Sequence, residues 1–228
     1  MVLSTYILPV SAIQALARKV IYEAGRLDLD HMAGFVVLEG IDGCGKSTVA
    51  RLVVSRLGDR AVLTGEPTNS WIGRAVHRGD KKTVSPYTDA LLFMADRAEH
   101  TLEIRKSIAR GKLVVSDRYY HSTIAYQAAF LEDTHPGDAF EWLLDANLKI
   151  SLKPNLTVLL VIPPGLGLER ARGRGKFSRF ERLDFLKKVH RNYQRLARLD
   201  KSIVKVDGTQ PLDDVVERVL DLISERNL

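Results

Sequence analysis

One short stretch of the chain has residue types and spacing that suit the binding of phosphate. Residues 40–47 read Gly-Ile-Asp-Gly-Cys-Gly-Lys-Ser, which matches the pattern G-x-x-x-x-G-K-[ST]. Glycines allow such a loop to curl so that its backbone N–H groups point at phosphate oxygens. Lys46 would reach the outer phosphates of a nucleotide, and the Ser47 hydroxyl would be available to Mg²⁺.

The flanking residues favour this interpretation over a chance match in a turn. An apolar run, Phe35–Leu38, precedes the loop, and a helix-forming stretch begins at Thr48. The order of strand, glycine loop and helix is the context that such a loop requires, and a helix N-terminus favours an anion. The predicted nucleotide-binding residues are Gly40, Ile41, Asp42, Gly43, Cys44, Gly45, Lys46, Ser47 and Thr48.

Composition and charge restrict the function further. The 228 residues carry a net charge of +6, one cysteine and 45% hydrophobic residues, which is an ordinary composition for a soluble protein of one or two domains. No apolar stretch is long enough to span a membrane, so we expect no membrane partner. The single thiol, Cys44, cannot form an intrachain disulfide and suits a reducing interior, which favours the cytoplasm.

The densest basic stretch predicts a flexible arginine loop that closes over phosphates. It has only two aromatic residues, Phe177 and Phe180, among its charges, whereas a groove for nucleic-acid strands uses several stacking aromatics. We therefore expect small polyphosphates, and no nucleic acid, as the acidic partners. The basic residues of this stretch are Arg170, Arg172, Arg174, Lys176, Arg179 and Arg182.

The alternation of strand and helix patterns predicts an α/β fold with a five-stranded parallel sheet and helices on both faces. Polar residues follow the strand ends, at the edge where such sheets bind ligands. The predicted strands lie at 35–38, 61–64, 113–116, 156–162 and 203–206. The predicted helices follow the glycine loop and lie at about 85–110, 121–131, 140–144, 166–172, 183–199 and 212–223.

Residues 1–33 are predicted to lie outside this domain. Apolar residues from Ile13 to Ala24 fall on one helical face, with Ser11 as a cap and Gly25 as a stop. Two interpretations stay open: an extra amphipathic helix, or a translation start at Met32. The main domain is then expected at 34–228, with a lid at about 170–181.

Four motifs in order resemble the thymidylate kinase family, over the chain from about Gly34 to the C-terminus. They are Glu39–Thr48, Leu92–Arg97, Asp117–Tyr119 with Ala125–Gln127, and the arginine loop that ends in Arg179-Phe180-Glu181. The resemblance implies a P-loop kinase fold and an enzyme that transfers the γ-phosphate of ATP to dTMP with Mg²⁺, a step of dTTP biosynthesis. It also implies a cytoplasmic homodimer.

The resemblance implies roles for residues that bind dTMP. Phe93 would stack on thymine and Arg97, on the same helical face, would bond the base edge. Taken alone, Phe93 reads as a core aromatic and Arg97 as a solvated surface charge. Arg118 would hold the dTMP phosphate, or else pair locally with Asp117. The implied dTMP-binding residues are Asp42, Glu66, Phe93, Arg97, Arg118, Ser122, Tyr126 and Gln127, with Ser47 and Asp117 near Mg²⁺.

Phosphoryl transfer requires alignment and positive charge on the moving group. Members of this family carry the arginine that supplies this charge either in the phosphate-binding loop or in the lid. In this chain the corresponding position of the loop, residues 40–47, is Gly43, which has no charge. We therefore expect the lid to supply this cation. The candidate catalytic residues are Lys46, Arg118 and the lid arginines Arg170, Arg172, Arg174 and Arg179, with Arg174 the first of the lid candidates.

The chain departs from the family pattern after the second predicted strand. Many family members carry arginine before Glu-Pro, whereas this chain has Gly65-Glu66-Pro67. One contact to the acceptor phosphate is therefore missing or replaced, with Arg74 as a candidate. Glu66 either orients an arginine or a water near the phosphate, or is a turn carboxylate.

Other activities stay open at this point. One is a kinase for another nucleoside monophosphate or for a deoxynucleoside. Another is a P-loop ATPase that acts on a protein or DNA partner, for which an acidic pair after the third strand is typical; here Arg118 follows Asp117. The intact Lys46 and Ser47 speak against a third reading, an inactive regulatory homologue.

Overall fold

The computed structural model describes residues 33–80, 84–132, 134–135, 137–173 and 182–228. The expected N-terminal helix and the start at Met32 lie outside these ranges, as does most of the predicted lid. The strands are β1 Gly34–Glu39, β2 Ala61–Gly65, β3 Leu113–Asp117, β4 Leu156–Val161 and β5 Ile203–Asp207. The helices are α1 Lys46–Leu57, α2 Trp71–Asp80, α3 Pro86–Ala109, α4 Tyr120–Leu131, α5 Ala139–Ile150, α6 Pro164–Arg172, α7 Leu183–Leu199 and α8 Leu212–Glu225.

The strands form a parallel sheet in the order β2-β3-β1-β4-β5, which confirms the predicted fold class. Helices α1 and α8 pack together, whereas α3, α4, α5 and α7 form a second group, so both faces of the sheet are covered. Every residue of β1 is buried, as expected for the central strand of such a sheet. In the described residues, no helix combines the length and apolar character needed to cross a membrane.

The register of the central strands positions the predicted site. Leu38 pairs with Asp117 of β3, and Glu39 pairs with Leu159 of β4. The glycine loop that follows Glu39 therefore lies beside the polar residues that follow β3. This edge is where ligands bind in open parallel sheets.

Helix boundaries agree with the sequence where capping signals are strong. Ser85 caps α3 by accepting from the N–H of Thr88, and Pro86 is the first residue of the helix. Helix α2 was not predicted. It begins directly after Ser70, whose hydroxyl donates to the buried Asp96 at 2.9 Å and accepts from Gly73 N–H at 3.0 Å.

Helix α6 lies directly against the glycine loop. A Cβ on Gly43 would overlap the carbonyl oxygen of Gly167, and a Cβ on Gly167 would lie 2.7 Å from the carbonyl oxygen of Asp42. Backbone meets backbone at this contact, so neither side can yield by rotating a side chain. The P-loop position that carries arginine in some family members is thus closed to any side chain here.

We expect Gly167→Ala to destabilise the protein and to weaken ATP binding, because the methyl group must displace the phosphate loop. The cost of such overpacking is about 1–3 kcal/mol, which corresponds to a fall in Tm of roughly 2–4 °C per kcal/mol. Thermal unfolding and calorimetric titration with ATP measure both effects. Gly165→Ala is the matched control, because a Cβ there meets nothing within 4 Å; equal behaviour of the two variants would contradict the contact.

Candidate active site

The glycine loop between β1 and α1 depends on positive φ angles. Gly40, Gly43 and Gly45 have φ of 140°, 84° and 96°, which glycine adopts at little steric cost. A Cβ on Gly40 would also lie 2.5 Å from the carbonyl oxygen of Leu160. The loop shape therefore requires glycine here for both conformation and space.

Lys46 curls back over the loop from the first position of α1. Its Nζ donates to the carbonyl oxygens of Gly40 at 2.8 Å and Ile41 at 2.9 Å, and lies 3.6 Å from the Sγ of Cys44. Cys44 is a buried free thiol, consistent with a small residue that fills the loop. The ammonium group is thus held at the centre of the loop, where phosphate oxygens would serve as its acceptors.

Ser47 and Asp117 line one cleft of about 520 Å³ at the carboxyl ends of β2 and β3. The Oδ1 atom of Asp117 is buried and has no hydrogen-bond partner within the described residues. Mg²⁺ takes oxygen ligands and is commonly held by one or two side chains together with waters and substrate phosphates. A hydroxyl and a carboxylate oxygen without a partner fit such an ion, although nowhere in the described ranges do three or more His, Cys, Asp or Glu residues form a metal site.

Arg118 is held in an uncommon backbone conformation at the end of β3, with φ of 75°. Its N–H donates to the carbonyl oxygen of Leu38 at 3.0 Å, and its own carbonyl accepts from Ser116 Oγ at 2.7 Å. The guanidinium donates to Asp42 Oδ1 and, at 3.0 Å, to Ser122 Oγ. Strained backbone that is held from both sides is typical of functional positions, and here it aims the side chain at the glycine loop.

The pair of Arg118 and Asp42 is ionised and accessible. Burial alone would raise the pKa of Asp42, but Arg118 and Lys46 bring that pKa below its ordinary value. Burial would lower the pKa of Arg118, and Asp42 more than compensates, so the arginine stays charged. The two side chains keep 23% and 24% of their exposure, so a substrate phosphate has access to the guanidinium.

Tyr126 contacts both members of the pair of Arg118 and Asp42. Its ring centroid lies 5.3 Å from the guanidinium carbon of Arg118, and its hydroxyl accepts from the N–H of Asp42 at 2.9 Å. Burial and the nearby carboxylate raise the pKa of Tyr126 well above its ordinary value, so the phenol stays protonated. The structure therefore brings together four of the residues predicted to contact the acceptor, namely Asp42, Arg118, Ser122 and Tyr126.

Glu39 is a fully buried carboxylate that the sequence analysis did not assign to the site. Its Oε1 accepts from the N–H groups of Tyr119 at 2.8 Å and Ser122 at 3.2 Å, and its Oε2 accepts from Ser122 Oγ at 2.6 Å and Tyr193 OH at 2.8 Å. Burial would raise its pKa, but the neighbouring His121 and Ser122 bring the pKa below its ordinary value. Because Ser122 also accepts from the guanidinium described above, Glu39 positions that arginine indirectly.

Arg97 is 1% exposed and is held by internal partners. Its guanidinium donates to Glu66 Oε2, to Thr123 Oγ1 at 2.8 Å and to Asn147 Oδ1 at 2.6 Å. The other oxygen of Glu66 lies 3.0 Å from His100 Nδ1. Arg97 is thus not a solvated surface charge, and Glu66 orients its guanidinium. The contact of Arg97 with a base stays a prediction. The Nε of Arg97 is available for that contact, because it is buried and has no hydrogen-bond partner in the described residues.

Phe93 and Gln127 lie on α3 and α4, where both could meet a base. Phe93 is only partly buried and does not belong to the hydrophobic core, unlike an ordinary core aromatic. Gln127 is 1% exposed, and its Oε1 has no hydrogen-bond partner in the described part of the chain. These environments suit base recognition, which stays a prediction for both residues.

Of the predicted lid at about 170–181, the structure describes residues 170–173. Arg174 and Arg179 lie outside the described residues, whereas Arg170 and Arg172 stand in the last turn of the helix. The Nη1 of Arg170 donates to the carbonyl oxygen of Gly208 at 3.3 Å. The choice among the lid arginines therefore stays a prediction.

Arg74, the candidate replacement for the arginine missing at position 65, is not among the residues that line the cleft. Arg74 is exposed and donates to the carbonyl oxygen of Asn69 at 2.8 Å. The basic side chains that do line the cleft are Arg51 of α1 and His77 of α2. Arg51 follows Ser47 by four residues and so shares its face of α1, a spacing that can be read from the sequence.

The fold and this site together define a P-loop phosphotransferase. The sequence model of the thymidylate kinase family matches residues 38–219. A probable thymidylate kinase of Methanococcoides burtonii is 38% identical over 192 residues, which cover 83% of this chain and 95% of the relative. One of Thermococcus onnurineus is 36% identical over 209 residues, which cover 85% of this chain and 98% of the relative.

A solved structure is also similar. The thymidylate kinase of Candida albicans superposes with a TM-score of 0.73 at 26% identity, over 86% of this chain and 94% of that one. The chain belongs to the thymidylate kinase family. It is by this membership an enzyme that transfers phosphate from ATP to dTMP.

We expect Glu39→Gln to lower the free energy of unfolding at neutral pH by about 2–3 kcal/mol, because the amide NH₂ would face donors that the carboxylate now accepts from. The folded-state pKa of Glu39 is below its ordinary 4.5. The stability that it contributes is therefore complete above this ordinary pKa and is lost as the pH falls through the folded pKa. Denaturant unfolding between pH 3 and pH 7 measures the difference.

Tyr193→Phe is the companion variant for this test. It removes one donor and keeps the carboxylate, so it should cost about 1 kcal/mol and retain the pH dependence of the wild type. Parallel stability curves for Glu39→Gln and the wild type over the whole pH range would show that Glu39 does not act as a charged centre.

Proposed function

We propose that this protein works as a Mg²⁺-dependent dTMP kinase in the cytoplasm, as a homodimer, with the residues described above in the following roles. The glycine loop and Lys46 bind the β- and γ-phosphates of ATP, and Arg118 binds the phosphate of dTMP. The observation that carries the proposal is the ion pair that Arg118, at the end of β3, makes with Asp42 of the glycine loop.

In this proposal the donor and the acceptor phosphate meet between the loop and Arg118. The guanidinium of Arg118 donates to Asp42 in this structure, and an incoming phosphate would replace Asp42 as the acceptor. Asp42 would then be free to accept from the sugar 3′-hydroxyl. Charge-assisted bonds of a guanidinium to phosphate are strong and directional, so this exchange aligns the acceptor for an in-line transfer.

Ser47 and Asp117 would hold the Mg²⁺ ion, which would neutralise charge on the donor phosphates. Lys46 and the lid arginines Arg170, Arg172 and Arg174 would supply further positive charge to the moving group. Phe93, Arg97 and Gln127 would recognise the thymine. Ser122 and Tyr126 would lie at the sugar, next to Asp42.

The first test compares acceptors. ADP formation from ATP and Mg²⁺ should require a nucleoside monophosphate and be fastest with dTMP, and chelation of the metal should abolish it. The Candida albicans relative is described as having broad substrate specificity, so dUMP, dCMP, dAMP, dGMP and thymidine belong in the panel. Turnover without any acceptor, or turnover stimulated by DNA, would favour the ATPase alternative instead.

The second test removes the acceptor arginine. We expect Arg118→Ala to lower kcat/KM for dTMP by about a hundredfold or more, because an oriented cation at the reacting phosphate is lost. Arg110→Ala is the matched control, since Arg110 is an exposed arginine at the C-terminal end of α3, near the opposite end of β3. Steady-state kinetics of both variants decide the matter: a normal rate in Arg118→Ala would refute the proposed role.

A further inference from the structure

The cleft beside the glycine loop contains a basic side chain that the proposed mechanism leaves unused. One wall is the face of α1 that carries Ser47 and Arg51, and the opposite wall is the end of β2 with the residues that follow it. Asp117 closes the cleft from β3, and His77 reaches it from α2. An anion that enters this cleft would therefore contact the Ser47 hydroxyl and Arg51 on the same wall.

The two carboxylates of the cleft do not neutralise Arg51. Glu66 is bonded to Arg97 and lies 3.0 Å from His100. Asp117 has the oxygen without a partner that suits Mg²⁺. Within the described residues no hydrogen bond or ion pair involves Arg51, which is exposed.

The contrast with Arg56 on the same helix is informative. Arg56 donates to Glu217 at 2.7 Å and lies 3.8 Å from Asp213, so its charge is used to hold α1 against α8. Arg51 has no such acid in the part of the chain that the structure describes. Arg56 therefore has a structural role between two helices. Arg51 faces a cleft and has no described partner, which indicates that it binds a ligand.

Position 65, on the opposite wall of the cleft, cannot supply a positive charge to a bound phosphate. Gly65 has no side chain, and a Cβ there would lie 2.9 Å from the carbonyl oxygen of Asp117. Ser47 and Arg51 are one helical turn apart, with about 5–6 Å between their Cβ atoms. Arg51 is therefore the arginine of the cleft wall that can approach a phosphate near the metal-binding hydroxyl.

We propose that Arg51 binds the phosphate group of the acceptor nucleoside monophosphate, from the wall of the cleft that faces Gly65. The inference rests on the proposed function and extends it by one binding residue. Arg51 and Arg118 would then hold the acceptor phosphate from two sides, each with the planar donor pair that suits phosphate oxygens. The γ-phosphate of ATP has the same chemistry, so the test must separate the two nucleotides.

The test is calorimetric titration of wild type, Arg51→Gln and Arg56→Gln with dTMP, with thymidine and with ATP. We expect Arg51→Gln to weaken dTMP binding by about tenfold or more, the loss of a hydrogen bond to a charged group. Thymidine, which lacks the phosphate, and ATP should bind all three proteins equally. Arg51→Lys should recover part of the dTMP affinity, because it restores the charge without the fork.

Steady-state kinetics give the matching signature. In Arg51→Gln the KM for dTMP should rise while the KM for ATP stays unchanged, and Arg56→Gln should match the wild type in both. Thermal unfolding should show Arg51→Gln to be as stable as the wild type, since Arg51 is exposed and holds no described partner.

Three outcomes would overturn the inference. Equal dTMP affinity in Arg51→Gln and Arg56→Gln would show that Arg51 does not contact the acceptor. Equal losses for dTMP and thymidine would show a general change in the cleft, and a loss confined to ATP would assign Arg51 to the donor. Failure of the proposed function looks different, because the wild type itself would then neither bind nor phosphorylate dTMP.

Discussion

The register between β1 and β3 is the constraint on which the whole site depends. Leu38 pairs with Asp117, and the N–H of Arg118 continues the ladder by donating to Leu38 at 3.0 Å. A shift by one residue would turn every side chain of a strand to the other face of the sheet. Asp117 would then leave the cleft, and Arg118 would no longer face the glycine loop. The burial of both faces of β1 makes such a shift costly, so the apolar core of the sheet fixes the geometry of the phosphate site.

Glu39 extends this constraint from the sheet to the helices. A buried carboxylate is unfavourable unless its oxygens accept hydrogen bonds, and here the donors come from the start of α4 and from Tyr193 of α7. The carboxylate therefore fixes α4 and α7 relative to the end of β1. Both helices border the site, since Ser122 and Tyr126 lie on α4 and the hydroxyl of Tyr193 on α7 lies 2.9 Å from Ser122 Oγ. One buried charge thus stabilises the fold and positions the residues that we propose to surround the acceptor phosphate.

The sequence predicted the features that depend on neighbouring residues. The glycine loop, the cap at Ser85 and the bounds of α7 are local patterns, and they agree with the structure. The contact between Glu39 and Tyr193 joins residues 154 positions apart, and no periodicity reveals it. Helix α2 was missed because its start depends on the distant Asp96, which holds Thr68 and Ser70 in place.

The same distinction applies to single side chains of the site. Spacing indicated that Phe93 and Arg97 share a face of α3, but the burial of Arg97 against Glu66 and Asn147 required the fold. Arg74 was a candidate by its position in the sequence; its guanidinium donates to the backbone of Asn69 at the cleft wall, but Arg74 itself does not line the cleft. Arg51 lies outside the glycine-loop motif, and it lines the cleft because it is one helical turn after Ser47 on α1.

The contact between Gly43 and Gly167 gives a steric reason why position 43 of the glycine loop carries no arginine. Helix α6 approaches the loop so closely that a side chain at position 43 would overlap the backbone of Gly167. An arginine at this P-loop position would require α6 to move away, and α6 leads directly into residues 173–182. The approach that excludes an arginine from the loop therefore brings the start of the lid next to the loop. Arg170 and Arg172 lie within five residues of the contact, and this close packing supports the proposal that arginines of the predicted lid provide positive charge to the moving phosphate.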